Sequence, residues 1–190
     1  VMFGEYIPLL KSLPWLKTIY EKQAGTTFDG SYTAGVSRDP LPMTLRGRAL
    51  SIIPSICFED TVPREPLVFL RPEAQVIVNV TNDGWFKESS AAEQHFANGK
   101  FRAIELRRPM IRCANSGVSA LIGITGQSRS LVNDQGSHFT RGHLFGTLKI
   151  PEKPPLSPYQ TWGDIPVIIA GLVSLIAALW LDRRRQLVAI

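Results

Sequence analysis

An uncharged, mostly apolar run near the end of the chain restricts the possible folds more than any other feature of the sequence. The run extends from Ile165 to Leu181, which is close to the minimum of roughly 17 residues that a helix needs to cross a bilayer core. Pro166 would lie in the first helical turn, where its missing N–H leaves no hydrogen bond unmade. Trp162 and Trp180 flank the run at positions typical of membrane interfaces. We therefore predict one transmembrane helix here.

The residues that follow predict the orientation of this helix. Arg183, Arg184 and Arg185 come almost directly after the run, and arginine clusters stay on the cytoplasmic side of a membrane. We therefore expect the span to cover residues 165–181 and residues 182–190 to form a cytoplasmic tail. The alternative is a buried helix of a soluble protein, but such helices are rarely apolar on every side.

The sequence before the run has the composition of an ordinary globular domain. The chain has 190 residues, of which 44% are hydrophobic, and a formal net charge of +5, so one core of normal size can be buried. The body contains no run of Lys and Arg interleaved with aromatic residues, and we predict no binding to nucleic acid. Residues 1–150 are expected to form the domain, and the proline-rich residues 151–164 a linker to the span.

The two cysteines are too few for a disulfide framework. Cys113 lies in the apolar stretch Met110–Ala114 and is predicted to be a small buried core residue. Cys57 ends an apolar run and is followed by Glu59 and Asp60, which places a thiol beside carboxylates. A reactive thiolate needs a base or a cation nearby. On the residues alone, a cysteine at a strand end is more often structural than catalytic.

The pattern of apolar residues predicts an α/β fold. The β-branched runs Leu50–Cys57 and Gln75–Val80 indicate buried strands, although Pro54 weakens the first prediction. A helix is expected from Ser90, where a capping box begins, to residues 107–109. Further strands are predicted at Met110–Ala114, Val118–Thr125, Ser128–Val132 and Leu144–Ile150.

A series of short motifs resembles one family. The blocks occur in the family's order, and they extend from Val1 to the linker. They are Phe3–Leu9 (FGEYIPL), Ser55–Glu59 (SICFE), Asn82–Phe86 (NDGWF), Gln94-His95, Phe101–Glu105 (FRAIE), Arg108-Pro109 and Asn115–Ser119 (NSGVS). Together with the membrane helix and its basic end, they resemble the apolipoprotein N-acyltransferases of the nitrilase superfamily.

The resemblance implies a fold, an activity and a location. The fold would be a nitrilase-like α-β-β-α sandwich, present here in part, followed by one C-terminal transmembrane helix. The protein would lie in a bacterial inner membrane, with its catalytic domain in the periplasm and its C-terminus in the cytoplasm. A Glu–Lys–Cys triad would take a fatty acyl group from a phospholipid as a thioester. It would pass the acyl group to the N-terminal diacylglyceryl-cysteine of an apolipoprotein. No cofactor and no metal ion are expected.

The resemblance also assigns roles to individual residues. It makes Cys57 the nucleophile, and Glu5 and Glu59 additional acidic residues of the catalytic site. For Glu5, a solvated loop carboxylate is the alternative. For Glu59, a carboxylate that holds the fold together is equally plausible.

Three residues are assigned to substrate binding. Phe58 stands where the family usually has an aromatic residue. Asn82 and Trp85 are expected to shape the mouth of the pocket, with a turn asparagine and a core aromatic as equal alternatives. His95 is predicted to cap a helix or lie in the core, because the triad uses no histidine. A helix-face ion-pair network is predicted for the charged residues at helical spacing, Arg102, Glu105 and Arg108.

The chain also departs from the family pattern. The catalytic Lys and the general-base Glu of the family match positions before Val1, and Met2 replaces a common proline. The start of the chain does not have the pattern of a signal peptide, and we expect it to continue a longer sequence. The 190 residues alone are therefore expected to be inactive. Two alternatives are a nitrilase-type amidase or carbamoylase, which needs no membrane helix, and a membrane-tethered binding module, which needs no activated thiol.

Overall fold

The computed structural model describes residues 37–188 together with Trp15, Thr18, Ile19 and Lys22. The chain divides into two compact units, Val1–Pro155 and Leu156–Ile190. Glu5 lies outside the described residues, as do most of residues 7–22, for which Pro8 and Pro14 predict a broken helix or a flap over the body. Both expectations stay predictions.

The first unit is built on a six-stranded mixed sheet whose strands lie in chain order. The central strands β2, β3 and β4 are parallel, and the outer pairs are antiparallel. The strands are β1 (Leu41–Leu45), β2 (Arg48–Ile56), β3 (Gln75–Thr81), β4 (Met110–Ala114), β5 (Ala120–Ile122) and β6 (Ser128–Ser130). The predicted α/β class with buried central strands is confirmed.

Parallel neighbours need connections that cross back over the sheet. Helix α1 (Ser90–Leu106) makes the crossover from β3 to β4, and the 3₁₀ turns Cys57–Thr61 and Pro66–Phe69 lie between β2 and β3. Pro54 is accommodated because β1 pairs with β2 only as far as Ile52. At Pro54 the strand therefore has a neighbour on one side only, where a proline is tolerated.

The main core lies between α1 and one face of the sheet. Its buried members include Ile53, Ile77 and Met110 from the strands and Ala103 and Leu106 from α1. Successive residues of a strand point to opposite faces, so the opposite face carries a second, smaller cluster. That cluster is made of Leu50, Ala74 and Val76. The described residues thus supply one sheet and one helical layer of the expected sandwich.

Two details of the sequence prediction are wrong. Residues 144–150 form no strand; Leu148 and Ile150 pack against the smaller cluster without joining the sheet. Cys113 is exposed, because Met110 and Arg112 occupy the buried positions of β4 and alternation turns Cys113 to the other face.

The N-terminus of α1 also differs in detail from the prediction. The helix starts at Ser90 as expected, but the residue that caps it is Ser89. Its hydroxyl accepts a hydrogen bond from the Ala91 N–H at 3.4 Å and donates one to the Phe86 carbonyl at 2.6 Å. The helix ends at Leu106, and Arg107 follows as its C-cap with a left-handed backbone of φ 50°.

The second unit consists of two helices, α2 (Pro158–Trp162) and α3 (Ile165–Val188). Ser157 caps α2, so part of the predicted linker 151–164 is helical. Among the described residues, α3 is the one helix long and apolar enough to cross a membrane, over Ile165–Arg183, and none of that segment is buried. The predicted apolar helix is therefore present, and it continues beyond Leu181.

Candidate active site around Cys57

Cys57 follows the last residue of β2 and opens the 3₁₀ turn Cys57–Thr61. Its thiol is free and partly buried, and its backbone is left-handed with φ 50°. That conformation costs a non-glycine residue about 1–3 kcal/mol and is concentrated at functional sites, where the surroundings enforce it. The geometry of Cys57 therefore favours a functional role over that of an ordinary core cysteine.

Glu59 closes the turn that carries Cys57. Its carboxylate accepts a hydrogen bond from the Ile56 N–H at 2.8 Å, and its carbonyl accepts one from the Val62 N–H at 3.2 Å. These contacts fit the view of Glu59 as a carboxylate that holds the local fold. A catalytic role for Glu59 stays a prediction.

A cavity of about 330 Å³ opens beside this turn. Ser55, Ile56 and Glu59, which flank Cys57 in the sequence, line it, with Arg38 and Phe69 among the other lining residues. A second cavity of about 740 Å³ lies along β5, β6 and residues 146–155. It contains none of the predicted site residues.

The residues predicted to bind substrate lie at the same end of the sheet as Cys57. Because β2 and β3 are parallel neighbours, the residues after their carboxyl ends share one edge. Asn82 forms a turn, with its side-chain oxygen accepting hydrogen bonds from the Gly84 N–H at 3.2 Å and the Asn115 amide at 2.7 Å. Phe58 is 48% and Trp85 77% exposed. Trp85 is therefore not a core aromatic.

Beneath this edge lies a buried polar cluster that the sequence interpretation did not assemble. Its centre is Arg112, whose side chain is fully buried. The guanidinium donates hydrogen bonds to the carboxylate of Asp60, to the side-chain oxygen of Asn79 at 2.9 Å and to the carboxylate of Asp83 at 3.1 Å. An arginine in the middle of an apolar strand was the available signal, because a buried cation requires acidic partners.

His95 of α1 completes the cluster between the two carboxylates. Its Nε2 lies 2.8 Å from Asp60 Oδ1 and its Nδ1 lies 2.8 Å from Asp83 Oδ1. Burial by itself lowers the pKa of His95, but the hydrogen bonds to Asp60 and Asp83 outweigh it and raise the pKa to about 9. At neutral pH the cluster therefore holds two cations and two carboxylates. The predicted core position of His95 is confirmed.

The same cluster shifts the pKa of Asp83 downward, in the opposite direction to that of His95. Burial raises the pKa of its carboxyl group, but the hydrogen bond with His95 and the charge of Arg112 bring it below the ordinary value. Thr81 adds a hydrogen bond of 2.8 Å to the same carboxylate. Asp83 is therefore ionised at neutral pH.

The predicted ion-pair network along α1 is only partly present. Arg102 and Glu105 form a salt bridge at 2.8 Å. Arg108 lies beyond the helix and is buried, and its guanidinium donates to Gln75 Oε1 at 3.3 Å and to the Arg71 carbonyl at 2.6 Å. It thus fastens the end of α1 to β3. In the part of the chain that the structure describes, no group of three His, Cys, Asp or Glu side chains is placed to hold a metal ion.

A comparison with protein-family models decides the family. Residues 15–143, which include the Cys57 turn and the whole buried cluster, match the model described as carbon-nitrogen hydrolase. The chain belongs to the carbon-nitrogen hydrolase family. The nitrilase-like α/β fold with a mixed sheet is thereby confirmed, since that family is the one the motifs indicate.

Relatives within this family carry a more specific name. The chain is 35% identical over 186 residues to an apolipoprotein N-acyltransferase of Methylococcus capsulatus, which covers 98% of this chain and 34% of that protein. It is 36% identical over 184 residues to one of Bradyrhizobium diazoefficiens, covering 97% of this chain and 31% of that protein. The predicted resemblance is confirmed. The chain spans about a third of the length of these relatives.

An amidase of known structure overlaps with part of the chain. This amidase, from Nesterenkonia sp., aligns with 53% of this chain and 40% of its own, at 18% identity and a TM-score of 0.39. A likeness this partial adds nothing to the family assignment, which rests on the sequence match.

Proposed function

We propose that the protein is an apolipoprotein N-acyltransferase in which Cys57 carries the acyl group. The observation that carries the proposal is the thiol of Cys57, held on a left-handed turn at the carboxyl end of a central parallel strand. The sequence likeness to relatives of that name over almost the whole chain supports the substrate class. Family membership alone would fit other acyl chemistry as well.

The proposed reaction has two steps. The Cys57 thiolate attacks an ester carbonyl of a phospholipid, and a thioester forms while the lysophospholipid leaves as an alcohol that takes up a proton. A neutral α-amine of diacylglyceryl-cysteine then attacks the thioester, which yields an amide, returns the thiolate and releases the one proton that the first step consumed. The Lys and the general-base Glu that the resemblance implies match no position of this chain. Inactivity of the 190 residues alone therefore stays a prediction.

The remaining roles belong to the same proposal. Glu5 and Glu59 would assist the chemistry, and Phe58, Asn82 and Trp85 would border the entrance for lipid substrates. The exposure of the Phe58 and Trp85 rings supports this, because an aromatic side chain left in water at a site edge is suited to contact acyl chains or headgroups. Helix α3 would cross the inner membrane, with the catalytic domain in the periplasm.

Isotope transfer tests the proposal. The full-length protein would be incubated with a phospholipid that carries a labelled acyl chain, first without acceptor and then with a diacylglyceryl-cysteine peptide. We expect label on Cys57 as a thioester that hydroxylamine releases at neutral pH, followed by label on the peptide amine. Cys57→Ser should lose both signals, whereas Cys113→Ser, the matched control at an exposed thiol, should keep both.

Two results would overturn the assignment. Transfer that survives Cys57→Ser would remove Cys57 from the chemistry. A protein that hydrolyses small amides but never acquires label from phospholipid would be a nitrilase-type amidase instead.

A further inference from the structure

The left-handed backbone conformation of Cys57 must be stabilised by contacts with the surrounding residues. A residue keeps a strained conformation only where the surrounding structure enforces it. Hydrogen bonds within the turn Cys57–Thr61 include the one from the Thr61 hydroxyl to the Phe58 carbonyl at 2.7 Å. Side chains from other elements add further contacts.

One hold acts on the turn through Asp60. Its carboxylate is fully buried although it lies only three residues after Cys57. One oxygen accepts a hydrogen bond from Arg112 of β4, and the other lies 2.8 Å from His95 Nε2 of α1. The C-terminal half of the turn is thereby fixed to both a strand and a helix.

A second contact stabilises Cys57 itself, through a hydrogen bond from Asn79 of β3. The side-chain oxygen of Asn79 accepts a hydrogen bond from Arg112 at 2.9 Å, and its amide nitrogen donates to the Cys57 carbonyl at 3.4 Å. The same amide donates to Ser55 Oγ at 3.0 Å. Arg112 therefore orients both groups that hold the turn, one on each side of the nucleophile.

We propose that Asp60, His95 and Arg112 are positioning residues for Cys57, and that they keep its turn in the conformation needed for acyl transfer. The part of this inference that concerns the reaction rests on the proposed function. The hold on the turn rests on the contacts alone. Among the described hydrogen bonds and ion pairs of the three residues, none involves the Cys57 thiol, so each acts on the turn rather than on the sulfur.

The charge balance of the cluster makes this hold depend on pH. His95 is faced by Asp60 from the Cys57–Thr61 turn, by Asp83 from the Asp83–Phe86 turn and by Arg112 from β4. The Phe58 and Phe86 rings lie 6.4 Å and 5.6 Å from the His95 ring. Arg112 opposes a proton on His95, but the two carboxylates outweigh it. Loss of that proton leaves two buried carboxylates with one cation, which is strongly unfavourable.

Since the pKa of His95 is raised to about 9, the turn should be held below that pH and loosened above it. Amide hydrogen exchange of peptides covering residues 55–62 measures this without any substrate. In the full-length wild-type protein, we expect protection of the turn, corrected for intrinsic exchange, to decrease steadily as the pH rises from about 6.5 to about 9 and to level off above that. The kcat for acyl transfer should fall as the pH rises through about 9.

Two variants separate positioning from plain stability. His95→Gln should lack this pH dependence of protection and lower kcat at neutral pH roughly 10- to 100-fold, with little change in KM, because a displaced nucleophile reduces the rate by such factors. Arg102→Gln is the matched control. It breaks a part-buried ion pair of the same helix, between Arg102 and Glu105, and it should keep the pH dependence that His95 causes.

The outcomes are distinct. Protection and kcat that stay unchanged in the wild type from pH 8 to 10 would refute the proposal, even if His95→Gln failed to fold. Equal losses of kcat in both variants, with the pH dependence kept in both, would also refute it. If amide protection of the turn depends on pH as expected but the protein transfers no acyl group, the proposed function is contradicted and the positioning of the turn by the three residues is supported.

Discussion

At the scale of single residues, the candidate site depends on Arg112, a cation enclosed in the core. A buried guanidinium is tolerated only when acceptors surround it, and this one is enclosed by Asp60, Asp83 and Asn79. These partners come from two segments of the chain: the turn after β2 carries Asp60, and β3 with the turn after it carries Asn79 and Asp83. Because Arg112 needs these acceptors, the segments that carry them lie together at the edge of the sheet next to Cys57.

The raised pKa of His95 predicts how stability varies with pH. A histidine that is more basic in the folded than in the unfolded protein contributes its full stabilisation below the unfolded pKa of 6.5, and the contribution is gone once the pH exceeds the folded pKa of about 9. We expect the free energy of unfolding to fall by about 3 kcal/mol across that window from this group alone. Urea denaturation of the wild type at both ends measures the loss.

His95→Gln provides the control for this measurement, because glutamine has no proton to lose in the window. Its unfolding free energy should be lower at pH 6.5 and should vary much less between pH 6.5 and 9. An equally steep decline in the variant would show that other groups cause the pH dependence.

At the scale of elements, sequence patterns within a single strand or helix were sufficient to predict where that element lies. The β-branched runs located β2 and β3, and the start signal at Ser90 with the stop signal at residues 107–109 located α1. Predictions that depend on how a residue or segment packs against other elements were wrong. Cys113 was placed in the core because its stretch is apolar, but alternation around the buried Arg112 turns it outward. Residues 144–150 are apolar enough for a strand, yet they pack on the sheet without pairing.

The candidate site divides in the same way. Cys57, Phe58, Asn82 and Trp85 could be named from motifs, since each motif is a continuous stretch of sequence. The cluster beneath them could not be assembled, because Asp60, Asp83, His95 and Arg112 lie on four different elements. Which carboxylate meets which cation depends on strand register, and register is not encoded in any single stretch.

The start of α1 offers a test at this scale. Ser89→Ala removes the hydroxyl that accepts the Ala91 N–H and donates to the Phe86 carbonyl, so we expect a loss of about 1 kcal/mol in the free energy of unfolding. Ser90→Ala, the matched control, changes the first helical residue and should alter stability by less than about 0.5 kcal/mol. Urea denaturation of both variants would show a mistaken cap assignment if the larger loss came from Ser90→Ala.

At the scale of the whole molecule, the chain joins a mixed-sheet domain to a helix that is exposed along its apolar length. None of the apolar segment Ile165–Arg183 is buried, and a bilayer would cover such a surface. Arg183 and the arginines after it then set the expected direction, because positively charged residues stay in the cytoplasm.

Reporter fusions test this topology in a Gram-negative host. Alkaline phosphatase is active only in the periplasm, so we expect no phosphatase activity when it is fused to the full-length protein after Ile190, whereas green fluorescent protein fused there should fluoresce. The matched control carries phosphatase after Pro155, the last residue of the first unit, and should be active because α3 would no longer separate it from the periplasm. Active phosphatase after Ile190 would mean that α3 does not cross the membrane in the predicted direction. The periplasmic location of Cys57, and with it the access to lipoprotein substrates, would then have to be abandoned.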